Sequence, residues 1–187
     1  MKSLIRCGMA AAMVFATAMA TPALAKEARS FDICASGTDL ATQDDLTKAG
    51  ASFTVAANIF PKGTIPMGGV KLCSDITTPV IGTFYANVSL QAGLGSPKGL
   101  PAAPDVQGFV TWQFDFSPKG GTFATIGIVP ISTGVGQTYI QTLVGSSGNF
   151  PGNGRKFPGN GQVTVTSLDP TGFQFRITLP RGEGRKD

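Results

Sequence analysis

The chain offers few residues able to carry bond-breaking chemistry. Its 187 residues contain no histidine, which removes a Ser-His-Asp triad, a Cys-His pair and every histidine-based metal site. The two glutamates, Glu27 and Glu183, stand near opposite ends. A carboxylate pair of the glycosidase kind would therefore need two aspartates, and no two fall on strands of suitable character. Asp44 and Asp45 are adjacent, but a solvated helix start accounts for them more simply than a calcium site. The glycine clusters lack the lysine and the strand-to-helix setting of a phosphate loop, so they read as turns. Neither a metal nor a cofactor is expected. What remains is a short set of polar groups on otherwise regular strands: Tyr85, Asn87, Gln113, Asp115, Tyr139 and Arg176. Asp115, Arg176, Tyr85 and Tyr139 are the catalytic candidates among them. If the polar strand faces point into a barrel, Asp115 and Arg176 could meet across strands and polarise a bound carbonyl or phenol. A desolvated Asp115 would then act as general acid or base. The alternative places both in solvent as a weak surface pair.

The elements that must position these groups are strands. Beyond Gly50 the intervals between Gly and Pro are too short for a helix of ordinary length, and the runs between them are β-branched and aromatic. Strands are expected at Ser52–Phe60, Val70–Cys73, Val80–Gln91, Gly108–Ser117, Thr122–Ile131, Thr138–Val144, Gln162–Ser167 and Phe173–Leu179. Several alternate with period two. Val110, Trp112, Phe114 and Phe116 oppose Thr111, Gln113 and Asp115; Phe173, Phe175, Ile177 and Leu179 oppose Gln174, Arg176 and Thr178. Such alternation marks an antiparallel sheet with one packed face. About eight such strands suggest a closed barrel or a sandwich, and closure has the merit of leaving no unpaired edge. If the aromatic faces line the lumen, Trp112, Phe114, Phe116, Phe173 and Phe175 are the candidate ligand contacts. Pro118-Lys119-Gly120-Gly121 and Asp169-Pro170-Thr171-Gly172 carry the residues of tight turns between strands.

The first 25 residues have the layout of a secretory signal. Lys2 and Arg6 form a positive start, Cys7–Ala20 is apolar, and Ala23-Leu24-Ala25 offers small residues for cleavage before Lys26. The apolar run is shorter than the roughly 20 residues needed to span a bilayer. A secreted or periplasmic protein without stable membrane insertion is expected, cut after Ala25. Residues 26–50 then read as an N-terminal arm with a weak helical turn near Thr42–Ala49, 51–180 as the barrel domain, and 181–187 as a basic tail. Without Lys2 and Arg6, the 15 Lys and Arg fall to 13 against 11 Asp and Glu. With no basic stripe, nucleic acid is not an expected partner. Removal of Cys7 leaves Cys34 and Cys73, an even pair that reads as a disulfide in an oxidising compartment.

One loop contains a local duplication, Phe150-Pro151-Gly152-Asn153-Gly154 followed, after Arg155-Lys156, by Phe157-Pro158-Gly159-Asn160-Gly161. It is either a slipped copy lengthening a surface loop or a flexible lid whose two Phe residues cover a barrel mouth. Around it, Phe114-Asp115-Phe116, the run Phe123 to Pro130 and Tyr139 to Val144 lead into Gly145-Ser146-Ser147-Gly148-Asn149-Phe150-Pro151-Gly152. Gly161-Gln162-Val163-Thr164-Val165 and Phe173-Gln174-Phe175-Arg176-Ile177 follow. Residues 108–180 thereby resemble the closing half of the dirigent and allene oxide cyclase barrels, although Ser146-Ser147 replaces the family's Gly-Thr. The resemblance implies an eight-stranded antiparallel β-barrel with an apolar lumen, assembled as a homodimer or homotrimer. It also implies binding of a small hydrophobic molecule whose cyclisation or coupling is guided by shape. The family's catalytic residues do not carry over, because they lie where the sequences do not match. Three readings follow: a guiding or binding barrel, a true cofactor-independent cyclase or isomerase with a Tyr/Asp/Arg lumen site, and a non-catalytic structural or assembly protein.

Overall fold

The computed structural model describes residues 29–35, 40–41, 50–90, 107–130, 134–151 and 156–180. The expected signal segment, the helical turn expected near Thr42–Ala49 and the expected tail at 181–187 lie outside them.

The alternating segments form strands β1 (Ser30–Cys34), β2 (Leu40–Ala41), β3 (Ser52–Pro61), β4 (Gly82–Leu90) and β5 (Gln107–Asp115). These are followed by β6 (Thr122–Pro130), β7 (Thr138–Ser147), β8 (Gly161–Ser167) and β9 (Gln174–Thr178). From β3 to β9 each strand pairs antiparallel with the next, and β1 joins β9 to β3. The sheet therefore closes into an eight-stranded antiparallel barrel built of β1 and β3–β9. The two-residue β2 pairs with Thr54 and Val55 of β3, on the edge that β1 leaves free.

Closure depends on β1, which lies inside the expected N-terminal arm. Its sequence, Ser-Phe-Asp-Ile-Cys, is buried on both faces. Phe31 and Ile33 enter the lumen core, whereas Asp32 and Cys34 point outward and are covered by the segment after β3. That segment includes Val70–Cys73, expected as a strand. Instead it is a flap ending in a 3-10 turn at Cys73–Asp75. Gln174 takes the place of a partner strand: its side chain accepts from Val70 N (2.7 Å) and donates to Val70 O (2.7 Å).

Three further ties hold the flap. Cys34 and Cys73 form the expected disulfide. Ile65 packs with Phe60, Leu168 and Cys34 in a small outer core. Asp32, fully buried, receives Arg176 Nε at 2.7 Å and Nη2 at 3.1 Å, together with the backbone N–H groups of Gly63 (2.9 Å) and Ile65 (3.0 Å). Gly69 allows the flap to lie close: its φ is +77°, and a Cβ there would sit 2.7 Å from Asp169 Cβ.

A register shift interrupts the β6–β7 ladder. Ala124 pairs with Gly145 and Thr125 with Leu143, leaving Val144 as the extra residue of a bulge. The bulge resets the inward parity of β7, so that Leu143 before it and Ser146 after it both lie opposite inward residues of β6.

Candidate functional site

The aromatic faces point inward, which decides between the two orientations left open by alternation. Trp112 and Phe114 are buried luminal residues of β5. The lumen is lined unequally along its length. At the end where β5 gives way to β6, Phe114 and Phe123 stack at 4.2 Å, and Phe31 meets Phe116 edge-on at 5.4 Å. The duplicated loop completes this plug from both copies: Phe157 lies 5.1 Å from Phe123, and Phe150 lies 5.6 Å from Phe116. Arg29 covers Phe150 from outside, its guanidinium 5.2 Å from the ring centre. Phe150 and Phe157 thus both pack into the aromatic end of the cylinder.

Towards the other end the composition changes. Trp112 stands edge-on to Tyr139 at 6.4 Å and tilted against Phe175 at 5.6 Å. Beside these rings sit two buried polar residues, Thr125 in register with Trp112 and Gln141 next to Gly127, one step further from the plug. The Thr125 hydroxyl donates to Gln141 Oε1. Gln141 Nε2 is buried with no hydrogen-bond partner, the one such side-chain atom among the described residues. Leaving a buried amide donor unmatched costs on the order of 1–3 kcal/mol, so the arrangement is expensive unless something else occupies it. Gly127 makes room for it. A Cβ at this position would approach Gln141 Cγ to 2.9 Å, so the glycine serves close packing in a strand rich in β-branched residues.

Tyr139 is half-buried, packs against the main core, and has a phenol pushed well above its ordinary pKa by burial alone. Its hydroxyl therefore stays protonated at neutral pH and can donate a hydrogen bond, but it is poorly suited to act as a base.

The other polar candidates do not converge here. Asp115 ends β5 on the outer side, where its carboxylate accepts from Ser117 N at 2.8 Å. That backbone hydrogen bond, joined by the Ser117 hydroxyl, holds its pKa below the ordinary value. Arg176 is also outside the barrel, but its partner is Asp32 rather than Asp115, and this hydrogen bond raises its pKa. The luminal Asp115–Arg176 pair is therefore not formed, and neither is a surface pair between them. Tyr85 is exposed on β4. Of the aromatic candidates, Trp112, Phe114 and Phe175 line the lumen, Phe116 belongs to the plug, and Phe173 is half-buried at the rim. Phe173 also lines an outer pocket of about 390 Å³ between the flap and the Asp169–Gln174 turn. Among the described residues no three Cys, Asp or Glu side chains converge to hold a metal ion.

Thr125 and Gln141 escaped the reading of the sequence. Their signal was parity: in Phe123-x-Thr125-x-Gly127-x-Val129 and Tyr139-x-Gln141-x-Leu143 a polar residue takes an inward position amid apolar ones. A scan against protein-family models returns no match to the chain, and a search of curated proteins also returns none.

Proposed function

We propose that this is an exported, disulfide-stapled barrel that binds one small hydrophobic molecule in the half of the lumen bounded by Trp112, Tyr139 and Phe175. Shape there would guide the molecule's reaction in the dirigent manner. The observation that carries this reading is the unequal lumen. One end is sealed by Phe rings, whereas the other combines flat aromatic walls with a buried amide that no protein group satisfies. Apolar walls with a few convergent polar groups are the usual composition of a small-molecule site, and an eight-stranded barrel is wide enough for packed side chains or one small ligand. Export is supported by the signal layout together with the Cys34–Cys73 disulfide.

The test is a melting-temperature screen of the mature protein against a panel of small aromatic and terpenoid molecules. A ligand at 100 times its dissociation constant adds about 2.7 kcal/mol to the folded state. No shift across the panel would remove the reading. Any reaction in this lumen would rely on the protonated Tyr139 and the Gln141 amide as hydrogen-bond donors, since Asp115, Arg176 and Tyr85 lie outside it.

The assembly reading has one observation of its own. Strands β4–β8 contain a single charged residue, Asp115 at the end of β5. On their outer face Phe109 lies opposite Ile128, with Ile140 and Val144 also exposed. A homodimer or homotrimer through this face would be lost on Ile128→Lys with Ile140→Lys. Sedimentation showing a monomer before substitution would exclude it.

A further inference from the structure

The geometry points to a ligand that carries a hydrogen-bond acceptor, a ketone, aldehyde or ester carbonyl, which Gln141 recognises through its free amide N–H. This inference rests on the luminal reading above and narrows it to a chemical class. Three features of the site lead to it. First, the amide is oriented. The Thr125 hydroxyl occupies Oε1, so the group that remains is Nε2, a donor only. A matching ligand atom must therefore accept, and an alcohol or amine would have to use its lone pair.

Second, the amide is held still. Gln141 is 1% exposed, and Thr125, across the bulge-adjacent ladder, is fully buried. Gly127 gives it a seat that a Cβ would obstruct at 2.9 Å. A donor fixed in a dry setting discriminates more sharply than one free to turn towards water. Third, the surroundings are aromatic and uncharged. Trp112 lies in register with Thr125, Tyr139 lies two residues from Gln141, and neither wall carries an ionised group. A charged acceptor such as a carboxylate would have no cation to meet among these residues, which favours a neutral carbonyl.

The site should therefore read the difference between two molecules of the same shape. Acetophenone and cumene form such a pair, because the acetyl and isopropyl groups are close to isosteric while the first alone accepts a hydrogen bond. The comparison uses the mature, disulfide-bonded protein and follows each probe by calorimetry and by ligand-observed NMR. A double variant, Thr125→Val with Gln141→Leu, removes both polar partners together. It leaves neither buried group stranded, so folding is retained. Wild type is expected to bind acetophenone roughly tenfold more tightly than cumene, the scale of one well-placed hydrogen bond. The double variant should lose that preference while still binding cumene. Infrared spectra of bound acetophenone should show a carbonyl stretch lowered in wild type and not in the variant. Equal binding of the two probes by wild type, or a preference that survives in the variant, would overturn the carbonyl assignment and leave the luminal site standing. Binding of neither probe by wild type, with no hit in the wider panel, would overturn both.

Discussion

Arg176→Met should cost about 3 kcal/mol of stability, which is far more than an ion pair on a barrel's outer surface ordinarily contributes. Asp32 is fully buried, and Arg176 retains 22% exposure. Removing the guanidinium takes away two of the four hydrogen bonds to the carboxylate and its only charge partner among the described residues, leaving Gly63 N and Ile65 N. Breaking a buried pair from one side costs roughly 3–5 kcal/mol, and the partial exposure of Arg176 favours the lower end. Arg176 Nη2 also donates to Ile65 O at 3.0 Å, so the flap loses a tie to β9 at the same time. Asp32→Asn should cost on the order of 2–3 kcal/mol, because an amide turns a donor towards one of four donors already pointing at it. The double variant should be destabilised by clearly less than the sum, with a coupling of about 2 kcal/mol. Urea unfolding with the disulfide intact, read as a shift of midpoint at constant slope, supplies these numbers. A loss below about 0.5 kcal/mol for Arg176→Met, or coupling near zero, would show the pair behaving as a solvated surface bridge. The account of how the flap is held would then be wrong.

Other consequences follow from the same structure. Reducing the disulfide, or replacing both Cys34 and Cys73 with Ala, opens a 39-residue separation in the unfolded chain. By the chain-entropy model this lowers stability by about 4 kcal/mol, checked by melting with and without reductant. Burial raises the Tyr139 pKa from its ordinary 10.0. Above about pH 10 the unfolded chain therefore releases a proton that the barrel retains, so the contribution is complete below pH 10 and falls above it. The loss is roughly 1.4 kcal/mol per pH unit until the native group titrates. Tyr139→Phe should flatten that part of a stability–pH curve, and an unchanged slope would place the phenol in water. Phe157→Ala should cost roughly 3 kcal/mol through the cavity left in the plug. A neutral result in thermal unfolding would mark the second copy of the repeat as a surface insertion.

The strands were legible wherever one face is packed and the other wetted, because the side-chain period then appears directly, as in Val110 to Phe116. Where both faces are covered the period vanishes. That is why Ser30–Cys34 read as part of an arm: Asp32 looks like a solvated charge until Arg176, 144 positions later, is brought beside it. Val70–Cys73 shows the converse error. Its apolar texture suits a strand, but one glutamine side chain serves the backbone of Val70, a 3-10 turn takes the carbonyls of Leu72 and Cys73, and a disulfide sets its position. The inward polar pair is hidden for a related reason. Charge makes Asp115 and Arg176 conspicuous, but alternation places both on the outer face. The inward Thr125 and Gln141 gained their meaning only when β6 and β7 were laid side by side across the bulge at Val144.

The most direct measurement uses Trp112, the chain's sole tryptophan, which is buried in the wall of the proposed site. Titration of the mature protein with 1-aminoanthracene should quench its emission by energy transfer to the probe. The signal should saturate at one probe per barrel and reverse when a ligand from the melting screen is added. Emission that stays unchanged, or that falls linearly without saturation, would mean that the lumen beside Trp112 admits no guest.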